Sequence, residues 1–214
     1  MTTLVIDGHP HAGSFVAALA RAYAEAHPDA RLLAVRDLAF DPVLRHGYSE
    51  RMELEPDLER AWAEILDADR VVVVAPVWWG SVPAELKGFF DRLLLPRRAY
   101  RYGADNLPEG LLRGRRGRLV LTSDSPWWYL LLTGNPAAKQ VRSLVLGFCG
   151  IRTARPTMLG PVRGSSAEQR ERWIERMRAL AERDGRAHRA HRASARPASQ
   201  DATPGQRAGA SSSS

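Results

Sequence analysis

Cysteine is nearly absent from this chain. The single one, Cys149 among 214 residues, excludes an internal disulfide framework and any cysteine-cluster metal site. Long apolar runs are lacking too. The longest, 71–76 with its neighbours, has the size of a strand, far below the roughly 18 residues needed to cross a bilayer. The N-terminal residues show neither the basic stretch nor the apolar core of a signal peptide. Also missing are Gly-x-x-x-x-Gly-Lys-Ser/Thr, Gly-x-Gly-x-x-Gly and Gly-x-Ser-x-Gly, which argues against nucleotide triphosphate hydrolysis, the usual dinucleotide fingerprint and an esterase elbow. The expected setting is cytoplasmic, without membrane insertion.

Hydrophobic residues are 44% of the sequence, enough for a core, and 26% are charged. The net charge is +7, but its distribution is uneven. Five arginines against one aspartate in 185–214 supply +4 of it, which leaves the first 184 residues only modestly basic. A nucleic-acid partner is therefore not expected. The last thirty residues hold few core-forming side chains and are expected to be a disordered, basic Ala/Arg/Ser tail. The preceding 1–184 form one domain.

Five strand-like segments alternate with helical ones. Strands are expected at 3–6, 31–35, 70–75, 118–122 and 153–159, and the near-pure valine of the third marks a strand buried on both faces. Helices are expected at 14–27, at 56–68 with Leu58, Trp62, Ile65 and Leu66 on one face, at 83–94, at 135–148, and at 165–183 capped by Ser165 or Ser166. The Arg-rich stretch 96–116 reads as a connection. Alternating strands and helices imply an α/β fold, and five strands favour a flavodoxin-like three-layer sandwich with a parallel sheet in the order 2-1-3-4-5. Ligands of such sheets bind beyond the carboxyl ends of the strands, so loops 7–14, 76–82 and 123–135 carry the site.

The first loop, Asp7-Gly8-His9-Pro10-His11-Ala12-Gly13-Ser14-Phe15, empties into a helix N-terminus, where unpaired N–H groups suit an anion. Ser14 adds a hydroxyl and His9 a ring nitrogen. A plain capped turn with an exposed histidine is the alternative. The second loop places Trp78 and Trp79 directly after the buried strand, where an aromatic ring and flat backbone can sandwich a planar heterocycle. The alternative is that one or both indoles belong to the core.

The run Pro76-x-x-Trp79-x-x-x-Pro83-Ala84-x-Leu86-Lys87-Gly88-x-x-Asp91-Arg92, behind His9 and Gly13-Ser14-Phe15, resembles the flavodoxin-like NAD(P)H:quinone oxidoreductases. That family includes ancillary oxidoreductases of potassium-efflux systems and the modulator-of-drug-activity proteins. The resemblance spans about residues 3–182. It implies a bound FMN or FAD, with NADH or NADPH as co-substrate and a quinone or similar small aromatic acceptor reduced by ping-pong hydride transfer. It assigns His9, Ser14 and Phe15 to the flavin's phosphate and ribityl end, and Pro76, Val77, Trp78, Trp79 and Gly80 to the ring. Ala99-Tyr100-Arg101-Tyr102 looks like the family's Ala-Tyr-x-Tyr, whose tyrosines close over the substrate, often from the partner of a homodimer. Ser123 and Ser125 would serve the flavin from the third loop, and Tyr100, Tyr102, Trp127 and Trp128 would shape the substrate slot.

The pattern departs from the family at Val16, where Asn is common, and after strand four, where many members have Thr-Thr-Gly-Gly and this chain has Thr122-Ser123-Asp124-Ser125-Pro126-Trp127-Trp128-Tyr129. No side chain is assigned as a catalytic acid or base, and no metal site is expected. His9-Pro10-His11 lacks a third ligand, and Asp124 reads as a turn-capping residue. Cys149 reads as a small buried hydrophobe. Arg113, Arg115, Arg116 and Arg118 form either a solvated surface or a site for an NADPH phosphate or another anion. Two other functions fit the same residues: an electron-carrier flavodoxin, or a regulatory ancillary flavoprotein of a membrane transporter.

Overall fold

The computed structural model describes the backbone of residues 2–195 and the side chains of 2–186 apart from Trp127. Of the expected tail, 196–214 lies outside the described residues. Strand β1 (Thr3–Asp7) leads through the first loop into helix α1 (Phe15–Ala26), followed by β2 (Ala30–Ala34) and α2 (Pro56–Asp67). Strand β3 (Arg70–Pro76) precedes α3 (Ala84–Leu93). A hairpin of β4 (Tyr100–Tyr102) and β5 (Pro108–Gly110) then occupies the stretch expected to be a connection. Next come β6 (Arg116–Thr122), α4 (Trp127–Leu132), and α5 (Pro136–Lys139), which runs on into a π-helical stretch, Gln140–Gly147. Two short strands, β7 (Arg152–Thr153) and β8 (Thr157–Leu159), precede the final helix α6 (Ala167–Ala195).

The sheet is parallel, in the order β2-β1-β3-β6, with β7 and β8 both pairing along β6. This is the expected 2-1-3-4-5 order with its fifth strand cut in two. Pro156 has no N–H to give the ladder, and the residue before a proline is constrained as well, so pairing lapses between 153 and 157. The last helix continues well beyond the expected end at 183. Its cap is Ser166, whose Oγ accepts the Gln169 N–H at 3.2 Å.

The valine run of β3 makes the three layers. Successive side chains of a strand point to opposite faces. Val71 and Val73 join Leu4, Ile6, Leu119 and Leu121 under α2 and α3, while Val72 and Val74 join Val5 and Val120 under α1 and α6. Each fully buried valine contributes about 1.5–3 kcal/mol of hydrophobic stabilisation. Leu66, expected on the buried face of α2, is instead exposed, because the helix turns it past the apolar stripe of Leu58, Trp62 and Ile65. Cys149 is buried, and burial pushes its thiol pKa up to about 12, consistent with a structural side chain. No described helix is long and apolar enough to cross a membrane.

Candidate functional site

Three loops at the carboxyl ends of β1, β3 and β6 converge on a cleft of about 390 Å³. The first loop is held from beneath. Asp7 is fully buried, and its carboxylate accepts the His9 N–H at 3.1 Å and Arg36 Nη1 at 2.6 Å. Arg36 also donates to the His9 carbonyl at 3.0 Å, so one buried ion pair fixes the loop's path.

Ser14 is the N-cap of α1, its Oγ accepting the Ala17 N–H at 3.1 Å. The first-turn amides of Phe15 and Val16 have no acceptor within the helix, and with the dipole they form an anion-facing end. Arg170 of α6 stands over the Phe15 ring at 5.7 Å, and Arg163 borders the same cleft with its Nε 3.8 Å from Asp124 Oδ2, so two arginines and one carboxylate flank that end.

His9 carries a defined tautomer. Its Nδ1 accepts the His11 N–H at 2.9 Å, so the neutral ring bears its proton on Nε2. Burial holds its pKa below the ordinary 6.5 even though Asp7 pulls the other way. At neutral pH this imidazole is an uncharged donor. Its ring meets Trp78 edge-on, with centroids 5.5 Å apart.

The second loop runs across the floor. The Val77 N–H donates to the Thr122 carbonyl at 2.8 Å, which ties it to the end of β6, and Trp78 and Ser81 exchange two backbone bonds of 2.9 Å around a tight turn. Trp79 and Gly80 form that turn, both at positive φ (51° and 73°). As a result Trp78 lines the cleft, while Trp79 points away from it and is fully exposed.

The third loop is closed by backbone approach. The Ser123 N–H donates to Leu159 and its carbonyl accepts from Val162, while Ser123 Oγ accepts the Ser125 N–H at 3.0 Å. A Cβ on Gly160 would stand 2.1 Å from the Ser123 carbonyl oxygen, so only glycine allows this contact. Asp124, expected to cap its own turn, instead accepts the Arg163 N–H at 2.6 Å and so ties the third loop to the loop after β8, at the border of the cleft.

The cleft thus gathers His9, Ser14, Phe15, Pro76, Val77, Trp78, Ser123 and Ser125. Other expected site residues stand elsewhere. Gly80 does not line the cleft. Tyr100 is buried, packed edge-on against Phe148 at 4.7 Å, and burial together with Tyr48 raises its pKa. Tyr102 is exposed on the hairpin, and Trp128 is exposed on α4. Trp127 opens α4, with its side chain outside the described residues.

Sequence reading missed Thr122, Val162, Arg163 and Arg170. The available signal was topological: the loop after the fifth strand opens on the same edge as the other three. The cluster Arg113–Arg118 lies at the opposite edge. Arg116 begins β6 and Thr122 ends it, about 20 Å apart at roughly 3.3 Å per residue.

The family described as flavodoxin-like fold matches residues 1–181. Among curated proteins, the "FMN-dependent NADH:quinone oxidoreductase 1" of Lactococcus lactis is 33% identical over 138 residues, covering 54% of this chain and 64% of the relative. The aligned part therefore spans less than two thirds of that relative. Among solved structures, a protein from Streptococcus mutans superposes with a TM-score of 0.74 at 23% identity, over 85% of this chain and 98% of the other. The "NAD(P)H:quinone oxidoreductase from Methanothermobacter marburgensis" gives a TM-score of 0.69 at 23% identity, over 85% and 95%. At such identities the structural likeness is one of fold.

Proposed function

This chain belongs to the flavodoxin-like fold family, and from that premise we propose that its cleft holds FMN in a flavin-dependent NAD(P)H oxidoreductase that reduces quinones or similar small aromatic acceptors. The observation that carries this reading is the continuity of two unlike surfaces in one cleft. An anion-facing end, made by Ser14, the first-turn amides of α1 and two arginines, adjoins a flat strip at 76–78 bordered by the Trp78 indole. That pairing fits a planar ring on a phosphate tail. The cleft lies within the size range of small-molecule sites. The naming of the curated relative favours FMN over FAD and NADH as the reductant.

Bound flavin supplies the hydride chemistry, and the protein supplies placement and electrostatics. Ser14, Phe15 N–H and Val16 N–H would hold the phosphate, with Arg170 and the Asp124-paired Arg163 nearby. The Nε2–H of His9 would be free to donate to an oxygen of the tail. The 76–78 backbone and the Trp78 ring would hold the flavin's ring system at the carboxyl ends of β3 and β6. Ser123 and Ser125 border the far side.

The assembly is a homodimer in this reading. Trp79 after β3 and Trp128, Leu131 and Leu132 on α4 are exposed apolar side chains on segments that follow the carboxyl ends of β3 and β6. The Ser81 hydroxyl donates to Gln140 Oε1 at 2.9 Å and ties the 78–81 turn to the start of the π-helical stretch. Apolar surface of this kind marks an interaction site, and a second copy docked there would bring aromatic side chains over the substrate face. A cytoplasmic setting belongs to the same reading.

The test is the absorption spectrum of the purified protein, mass identification of what heat releases, and NADH oxidation with menadione. A flavin spectrum, released FMN and menadione-dependent turnover are expected. A colourless preparation that takes up neither FMN nor FAD overturns the proposal.

A further inference from the structure

The opposite end of the sheet carries a second concavity, of about 1200 Å³. Strand register creates it. β3, β6 and β7 pair in parallel with their first residues side by side, Arg70 against Arg116 and Arg116 against Arg152. Neighbouring strands lie about 4.8 Å apart, so one arginine at each strand start sets three guanidinium stems in a row. Among the described residues, seven arginines line this cavity and only one carboxylate, that of Asp184.

The imbalance reaches into the interior. Arg118 grips Asp184 with two bonds, Nε to Oδ2 at 2.6 Å and Nη2 to Oδ1 at 2.8 Å. The Tyr23 hydroxyl donates to Oδ2 at 2.6 Å, and Arg70 Nη1 stands 3.4 Å from Oδ1. That carboxylate is saturated. The Arg70 side chain is only 6% exposed, and its Nε has no hydrogen-bond partner. Two buried guanidiniums sharing one carboxylate leave a positive charge uncompensated, and an unbonded buried donor adds to the cost. At the rim, Arg115 is occupied with the carbonyls of Ile65 and Leu66 at the end of α2. Arg116 and Arg152 are exposed, and no described carboxylate forms an ion pair with either.

We propose that this cavity is a second binding site, separate from the cleft, for a small ligand carrying two or more clustered phosphates. Guanidinium forks match phosphate oxygens two at a time, which suits arginine to this task better than lysine. The arginines converge within a concavity and are not spread over a face. That shape fits a compact polyphosphate better than the backbone of a duplex or the plane of a membrane. Arg70, nearly buried and sharing its carboxylate with Arg118, adds positive charge beneath the base, and Arg116 and Arg152 supply exposed forks at the mouth.

The probe is sodium tripolyphosphate, titrated calorimetrically into the full-length protein with and without saturating FMN. An ionic strength of about 0.15 M screens non-specific attraction beyond about 8 Å. Saturable one-to-one binding is expected, unchanged by FMN. The double variant Arg116→Ala/Arg152→Ala should weaken it by about tenfold or more, since each lost charge-assisted fork is a strong contact. Both residues are exposed, so its melting curve should stay that of the parent. ADP binding more tightly than pyrophosphate would point to a nucleotide, and equal affinity to the phosphates themselves; either supports the site. Three results overturn it: no saturable binding, affinity indifferent to the double variant, or competition with FMN, which would place the anion in the cleft. Affinity for phosphatidylglycerol vesicles or duplex DNA without affinity for tripolyphosphate overturns it as well.

Discussion

His9 and Trp78 meet edge to face, with ring centroids 5.5 Å apart and planes inclined at 77°. They lie 69 positions apart in the chain, and the contact exists because β1 and β3 are adjacent in the sheet. It fixes where the anion-facing end of the cleft stops and its flat strip begins.

Ser14 has two separable duties. Ser14→Ala should cost about 1 kcal/mol through the lost cap, or about 2–4 °C of melting temperature in a chain of this size. It should also weaken FMN binding. Ser14→Asp keeps a capping oxygen but sets a negative charge against the phosphate. Its melting temperature without flavin should match the parent while FMN affinity falls. Parental FMN affinity in Ser14→Asp would remove the phosphate from this helix end.

The two indoles of the second loop should behave oppositely. Trp78→Ala loses a ring beside the flat strip and should weaken FMN binding by about tenfold, the upper end of what an aromatic contact contributes. Trp79→Ala should leave the melting temperature unchanged, because that ring is fully exposed. Its effect should appear in sedimentation, as weaker self-association. A Trp79→Ala protein that dimerises like the parent would place the interface elsewhere.

Asp184 joins the last helix to the sheet. Burial raises its pKa, but the bonds from Arg118 and Tyr23 outweigh that and hold it below the ordinary carboxylate value. Asp184→Asn should cost about 3–5 kcal/mol, because it leaves buried guanidiniums without their anion. Tyr23→Phe should cost only about 1 kcal/mol, the usual worth of one hydrogen bond. Urea midpoints would measure both, and near-equal losses would show that the carboxylate matters little.

Acid should loosen the fold in a defined window. Burial is the leading cause holding both His9 and His27 below the ordinary 6.5. The unfolded chain therefore binds protons that the folded chain refuses. Stability is full above about pH 6.5 and declines as the pH falls through the lower folded values. Asp184 and Glu55, both depressed, keep their charge until far more acidic conditions. The melting temperature should thus drop between pH 7 and pH 5, and His27→Gln should flatten that drop. A flat profile in the parent would show that neither imidazole resists protonation.

Much of the frame was legible in one dimension. The Val71–Val74 run announced a central strand, and Ser14 announced a helix start, since both signals are local. The break at Pro156 was equally local and was passed over. The β4–β5 hairpin offers only three residues per strand, too few for alternation to register. Arg163 and Arg170 were missed because they reach the cleft through the return of β8 and α6, far along the chain from the loops that hold the other site residues.

The amino-acid order alone determined the strand and helix alternation, the parallel sheet it implies, and the capped turn that opens α1, because these follow from side-chain periodicity and backbone chemistry within a few residues. The tertiary structure decided the rest. The turn at positive φ sends Trp79 outward while its neighbour faces inward, packing takes Tyr100 into the core, and register aligns Arg70, Arg116 and Arg152. Directions and alignments of this kind depend on contacts between distant segments, and no local pattern records them.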